Sequence, residues 1–414
     1  MRRISSAMNN MDTQSALRLQ ESRLNRANNQ IGSQRKIQQL RDDPISAGHL
    51  VRYQSYLGRV NTFEKNAATL TDQFSLREGY MTNSLEIMQR VRELAITGAN
   101  GVYTPEDMKN MAMEVDELLK ELVQNANAIS SDGNSIFGGT NTKSTAFEVE
   151  MGTVAGSGVA LIESVRYNGN IDTNRIEVDE NKYMDLDNAG NRTFWAEQQQ
   201  IFGGRDALSW QASADSVISV DGVSVYVNAG DNVHSLAAKI NESGAAVRAS
   251  IDPVTGGLNL ETTDARQLWL SDVKGGVLNE LGIIKDSSQK PPYNIGNSVR
   301  VSGGSLFDTV IAFRDALLKG DVESVGGRVL GSLDNGISNL VTRIAKSGSE
   351  YERAQLAVAR NSATALNVTQ QVSSEGDLDF TKAVTDMKML DYAYQATLSN
   401  AGKMYNNTLL NYMR

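Results

Sequence analysis

Apolar positions at the two ends of the chain recur every three and four residues, whereas in the middle third short alternating runs are separated by turn residues. Near the start, Ile4, Met8, Met11 and Ser15 step by four and three, and Leu17, Leu24 and Ile31 step by seven, the spacing of a helical face. Gly32 supplies a stop. A connector follows at 33–44, in which Asp42-Asp43-Pro44 signals a turn or helix start. Over 46–97 one stripe carries Leu50, Tyr53, Leu57, Val60, Ala67, Phe74, Met81, Leu85, Met88 and Ala95, with Glu64, Thr71, Glu78 and Arg92 as its exceptions. At ~1.5 Å per residue this predicts a rod of about 80 Å, a length used by bundles and coiled coils. Residues 98–103 break the rod. Thr104-Pro105-Glu106-Asp107 restarts it, with a capping threonine and a proline at the first helical position. Met108, Met111, Val115, Leu118, Leu122 and Ile129 extend the face until 130–134 ends it.

The centre, about 135–300, changes character. Val217 to Val220 and Val223 to Val227 read as strands joined by a tight turn at Asp221-Gly222. A short helix at 232–241 carries Val233, Leu236, Ala237 and Ile240, and a second strand pair follows at 247–251 and 258–262. The unit is a ββαββ module. Helical spacing then returns. Ser305 and Asp308 cap a helix bearing Leu306, Val310, Phe313 and Leu317, and a long seam runs from Val329 through Leu340, Ala354 and Val368 to Val372. Gly376 breaks it, and a final helix presents Phe380, Val384, Met387, Tyr394, Leu398, Ala401, Tyr405 and Tyr412.

A long helix cannot bury its stripe alone. The expected architecture is therefore mainly α with a β-rich insert: an antiparallel helical coiled coil or bundle formed by the two ends, and a central α+β head. The divisions are an N-terminal assembly helix (1–41), the first half of a helical core (42–134), an outward head (135–300), the second half of the core (301–376) and a C-terminal assembly helix (377–414). The outermost segments lie beyond breaks and have few partners of their own. Ile4, Met11, Leu17, Leu24 and Ile31, with Phe380, Val384, Met387, Tyr394, Leu398, Tyr405 and Tyr412, are the candidate seam through which copies assemble.

Composition narrows the function classes. The 414 residues are 40% hydrophobic, with no run long enough to span a membrane and no pattern of a cleavable secretory signal near the start. Cysteine is absent, which removes disulfides, thiolate nucleophiles and zinc–sulfur sites. The two histidines, His49 and His234, are too far apart for a local metal motif. A net charge of −9 disfavours nucleic-acid binding. The basic first segment, with Arg2, Arg3, Arg18, Arg23, Arg26, Arg35, Lys36 and Arg41, reads as a solvated helix face. Asp185-Leu186-Asp187-Asn188-Ala189-Gly190 resembles the start of a calcium loop, but Ala189 and Ala196 occupy ligand positions. Gly326-Gly327-Arg328-Val329-Leu330-Gly331 has Ser332 where a phosphate-binding loop needs lysine, and Gly156-Ser157-Gly158 lacks a third glycine. Asp42-Asp43 reads as a cap before Pro44. No catalytic, cofactor-binding or metal residues are assigned, and the expected class is a structural subunit and not an enzyme.

Several stretches carry a resemblance. Gln34-Arg35-Lys36-Ile37 through Arg41-Asp42-Asp43-Pro44 is similar to the connector of flagellins and flagellar hook-associated proteins. Ser135-Ile136-Phe137-Gly138-Gly139-Thr140-Asn141-Thr142, followed by Phe147, resembles the exit from the helical core in the hook-associated protein 3 family. Ser305-Leu306-Phe307-Asp308 to Asp321 resembles that family's return helix, and Tyr394-Gln395-Ala396-Thr397-Leu398 through Tyr412 its closing segment, with Thr408 and Asn411 as departures. Residues 217–284 separately resemble the flagellin IN motif. The resemblance implies a junction subunit between hook and filament, exported through the flagellar type III apparatus to an external or periplasmic flagellum. Its implied partners are hook-associated protein 1, flagellin, further copies of itself in an axial ring, and an export chaperone. Flagellin itself is the alternative reading.

Overall fold

The computed structural model describes residues 6–286, 288–291 and 293–410. In chain order, α1 (Ser6–Ser33), α2 (Pro44–Ala99) and α3 (Pro105–Ala126) are followed by β1 (Phe147–Thr153), β2 (Ala160–Tyr167), β3 (Asn174–Asp179), β4 (Lys182–Leu186) and α4 (Gly190–Thr193). Then come β5 (Gln200–Phe202), β6 (Ser216–Val220), β7 (Val223–Val227), α5 (Val233–Glu242), β8 (Val247–Ile251), β9 (Leu258–Thr262), β10 (Leu270–Lys274), α6 (Val277–Glu280) and β11 (Arg300–Ser302). The chain returns through α7 (Leu306–Lys319), α8 (Val322–Ser324), a π-helical turn (Val325–Val329), α9 (Leu330–Gly376) and α10 (Phe380–Leu410). The chain is mainly helical with a β-rich insert, as the periodicity predicts.

Local chemistry sets the helix ends. Thr104 Oγ1 accepts from the Asp107 N–H, and the Asp107 carboxylate accepts from the Thr104 N–H at 3.1 Å, a reciprocal capping box worth about 1 kcal/mol. Ser305 and Asp308 repeat it at α7, which ends on Gly320 at φ 69°. The predicted continuation of the α3 face to Ile129 is corrected. Asn127 Nδ2 donates to the Phe147 carbonyl and its Oδ1 accepts from the Phe147 N–H, both at 2.8 Å. That side chain bonds the backbone of β1, α3 stops at Ala126, and Ile129 lies exposed. The second long seam also starts differently. Gly326-Gly327 sits in the π-helical turn, so the regular spacing begins at Leu330.

The chain forms two compact units, Asn66–Leu356 and the two ends Met1–Lys65 with Ala357–Arg414. The larger unit holds two cores. The first buries Met81, Met88, Val91 and Ala95 of α2, Val115, Leu119 and Leu122 of α3, and Leu306, Val310, Phe313 and Leu317 of α7. At its centre Phe137, Phe147, Phe194 and Phe307 interlock, with ring centroids 4.9 to 5.7 Å apart. Such pairs contribute about 0.5–1.5 kcal/mol each beyond their burial. The exit sequence after α3 has its physical basis here. Phe137 enters the cluster, and Gly139, at φ 69°, lies so close to Asn170 that a Cβ would fall 2.2 Å from its Oδ1.

The second core belongs to the insert. Its ββαββ order matches the sequence pattern to within a residue. Asp221 and Gly222, at φ 48° and 85°, make the hairpin turn between β6 and β7. The Asn241 side chain exchanges two hydrogen bonds with the Ala249 backbone at 2.8 and 3.0 Å, tying α5 to β8. The two hairpins do not share a sheet. One lies in the order β10-β6-β7 and the other in β11-β5-β9-β8, and both recruit strands from outside the module. Val220, Val225, Leu236, Ile240, Leu260, Leu270 and Ile283 are buried between them.

Candidate assembly surface

The smaller unit contains α1, the connector, the first turns of α2, the last turns of α9, and α10. The two breaks anticipated at Gly32 and Gly376 lie side by side. The Lys36 N–H donates to the Gly376 carbonyl at 2.9 Å, the Leu378 N–H donates to the Gln34 carbonyl at 3.1 Å, and Arg35 and Asp377 pair antiparallel. Gln34 adopts φ 55° to make the reversal. Gly376 is in close approach to α2, since a Cβ there would lie 3.0 Å from Leu50 Cδ1. From these joined breaks α1 and α10 pack along one another as an antiparallel pair.

Aspartates fix the connector. Asp42 Oδ2 accepts from the Gln39 N–H at 3.0 Å, and Asp43 Oδ1 accepts from the Ser46 N–H at 3.1 Å and the Ile45 N–H at 3.2 Å. These bonds, led by Ser46, hold the Asp43 carboxyl below the usual range. Asp42-Asp43 is thus a structural pair that organises the turn and the start of α2. His49 lies edge-on to Tyr53 and 4.0 Å from Glu375.

The predicted seam divides in two. Leu17, Leu24 and Ile31 of α1, and Val384, Met387 and Tyr394 of α10, are half-buried on the faces where the two helices meet. Met11, Phe380 and Leu398 are exposed. Ile4 and Tyr412 lie outside the described residues, as does the side chain of Tyr405. Sequence periodicity missed a further set. Leu19, Met389 and Tyr392 are exposed on these same helices, Met389 at 66% and Tyr392 at 71%. On α10 these two lie roughly a third to half of a turn away from the stripe that meets α1. Leu40 of the connector, Ile45 and Val51 of α2 and Leu366 of α9 are exposed as well. Those on helices fall off the dominant apolar stripe of their helix, and Leu40 lies between helices.

A groove of about 590 Å³ runs beside the joined breaks. Arg23, Arg26 and Lys36 line one part of it, Asp377, Asp379 and Asp386 another, and Ala27, Ala383 and Leu390 supply apolar surface. It presents both charge signs around a small apolar patch, a surface suited to a polypeptide partner.

The other candidate motifs resolve into internal contacts. Asp185 pairs with Arg175 at 3.0 Å and Asp187 with Arg192 at 3.1 Å, so the calcium-loop-like carboxylates are each engaged by arginine. Among the described residues, no three His, Asp or Glu side chains cluster as a metal site would require. No described helix is long and apolar enough to cross a membrane.

Residues 4–142 match the family model described as the bacterial flagellin N-terminal helical region, and residues 213–264 match the flagellin hook IN motif. Two separate stretches of the chain are therefore similar to parts of flagellins. Across 411 residues it is 24% identical to flagellin A of Vibrio anguillarum, covering 96% of each chain. It is 26% identical over 413 residues to flagellin C of Vibrio cholerae, covering 95% of this chain and 94% of that one. A solved structure of flagellar hook associated protein-3 from Legionella pneumophila is similar at 17% identity, with a TM-score of 0.46, covering 78% of this chain and 97% of that one. The flagellin N-terminal match spans α1, the connector, α2 and α3 and ends within the exit sequence. The IN match coincides with β6, β7, α5, β8 and β9. These matches support a structural component of the bacterial flagellum.

Proposed function

We propose that the chain is the junction subunit between hook and filament, and that α1 and α10 form its assembly surface. One observation carries the assembly reading. The two helices already cover one face of each other, yet Met11, Leu19, Phe380, Met389, Tyr392 and Leu398 remain exposed. Apolar side chains that outlast the internal pairing of a helix pair are available to neighbouring subunits. The groove beside the joined breaks adds charges of both signs for register. The partners on this reading are hook-associated protein 1 on one side, flagellin on the other, and further copies of the chain around the axis. An export chaperone covers the terminal helices before assembly.

The junction assignment rests on the residue strings at 135–142, 305–321 and 394–412, which resemble the hook-associated protein 3 family. A second reading, flagellin, is favoured by the near full-length alignments to Vibrio flagellins. Assembly in vitro separates the two. Purified chain alone is expected to form no long filaments, and in a mixture with flagellin it is expected at filament ends. Long filaments grown from this chain by itself would replace the junction reading with the flagellin one.

A further inference from the structure

In the larger unit, charged residues from distant parts of the chain meet under the insert. Arg77 of α2 bonds Glu350 Oε2 at 2.8 Å and Ser347 Oγ at 3.2 Å, both on α9. Arg192 bonds Asp187 Oδ2 at 3.1 Å and lies 4.0 Å from Asp221. Arg343 of α9 bonds Asp264 Oδ2 at 2.9 Å, and Arg266 engages both Asp264 and Asp221. Lys346 stands 3.8 Å from Asp187 and 3.8 Å from Glu350. Five cations (Arg77, Arg192, Arg266, Arg343, Lys346) thus face four carboxylates (Asp187, Asp221, Asp264, Glu350), which leaves one positive charge in excess.

Two donors in this network have no acceptor. The Nε–H groups of Arg192 and Arg343 are buried and make no hydrogen bond. Both residues line a cavity of about 20 Å³, together with Arg77, Lys346, Asp187 and Glu350. An unpaired charged donor sealed from solvent costs more than a satisfied one. The enclosed part of this cavity has room for one small particle. Two unused guanidinium donors, a surplus positive charge and room for one small particle favour a hydrogen-bond acceptor that carries a single negative charge.

We propose that this cavity binds one small monovalent anion of chloride size. The ion accepts from the two Nε–H groups, neutralises the excess charge, and braces the insert against α2 and α9. Water is the competing occupant, and it supplies no charge. Burial, against the attraction of Asp264, already holds the Arg343 guanidinium below its ordinary range, so a nearby anion has more effect here than at the surface.

The test uses the full chain at fixed ionic strength. Thermal unfolding in sodium chloride or bromide is compared with unfolding in sodium gluconate, whose anion does not fit. A saturable rise in midpoint with chloride and bromide is expected, and Arg343→Gln is expected to lose that dependence. Crystals grown in bromide are expected to give an anomalous peak within hydrogen-bond reach of Arg192 and Arg343 Nε. Equal midpoints in all salts, or a cavity that holds only water in the bromide crystals, would overturn the proposal. The bromide crystals decide the matter on the unaltered chain if the variant fails to fold.

Discussion

Asp187 is the residue on which the ionic network turns. Its carboxylate meets Arg192 at 3.1 Å and Lys346 at 3.8 Å, in a side chain that is 15% exposed. Burial opposes its ionisation, but the charges of Arg192 and Lys346 outweigh burial and hold its carboxyl below the ordinary carboxylate range. A carboxyl whose folded pKa is depressed contributes stability that is fully present above the unfolded value and is lost as pH falls through the folded one. Asp187→Asn removes that contribution and leaves Arg192 with less compensation. The variant is expected to be less stable than the parent near neutral pH, by roughly 1–3 kcal/mol for a partly buried charged pair. The gap is expected to narrow as pH drops below about 4. Urea midpoints measured from pH 6 to pH 2 check this. A gap that stays constant with pH would mean that the Asp187 charge contributes nothing to stability.

At the scale of elements, the outward faces of α1 and α10 carry the next prediction. Met389 and Tyr392 lie off the stripe by which α10 meets α1, so replacing both with serine leaves the helix pair nearly unaffected, within about 0.5 kcal/mol of the parent per site. Leu398 is 44% exposed at the edge of that stripe. Leu398→Asp is expected to block incorporation into the axial structure by placing a charge in a seam that closes on assembly. The Met389→Ser/Tyr392→Ser pair is expected to reduce incorporation while circular dichroism and the unfolding midpoint stay close to the parent's. Incorporation at the parental level by both variants would move the assembly surface elsewhere. The elements themselves were largely readable in advance, because each boundary is marked by a residue with a local reason to be there: Thr104 and Ser305 as caps, Gly320 in the left-handed conformation, Asp221-Gly222 as a hairpin turn. The end of α3 was not readable, since it depends on Asn127 finding β1 twenty residues further on. The partition of the insert into two sheets was hidden for the same kind of reason. Strands β5, β10 and β11 join by lateral pairing, which leaves no periodic signature. Periodicity located the stripe that α1 and α10 use on each other, and apolar residues off that stripe became visible only once the pairing removed the first set from solvent.

For the whole molecule, the distribution of buried residues separates folding from assembly. Both large cores draw on residues between Met81 and Leu340, and neither α1 nor α10 contributes to them. A paired helix of about thirty residues with one half-buried face is marginal in isolation, because nucleating a helix is costly and its stability comes from packing. Removing residues 1–41 or 377–414 therefore deletes one partner of the α1–α10 pair and exposes the other's stripe, while leaving the cores intact. Each truncated chain is expected to unfold cooperatively, with the capped helices and the insert retaining their protection against hydrogen exchange. Each is also expected to fail to enter the axial structure in cells lacking the intact chain. The two truncations should be equivalent, since either leaves a half-pair that offers neighbouring subunits a different surface from the one two helices build together. A truncated chain that incorporates normally would show that assembly uses the larger unit. A truncated chain that no longer unfolds cooperatively would show that the terminal helices belong to the fold as much as to the assembly.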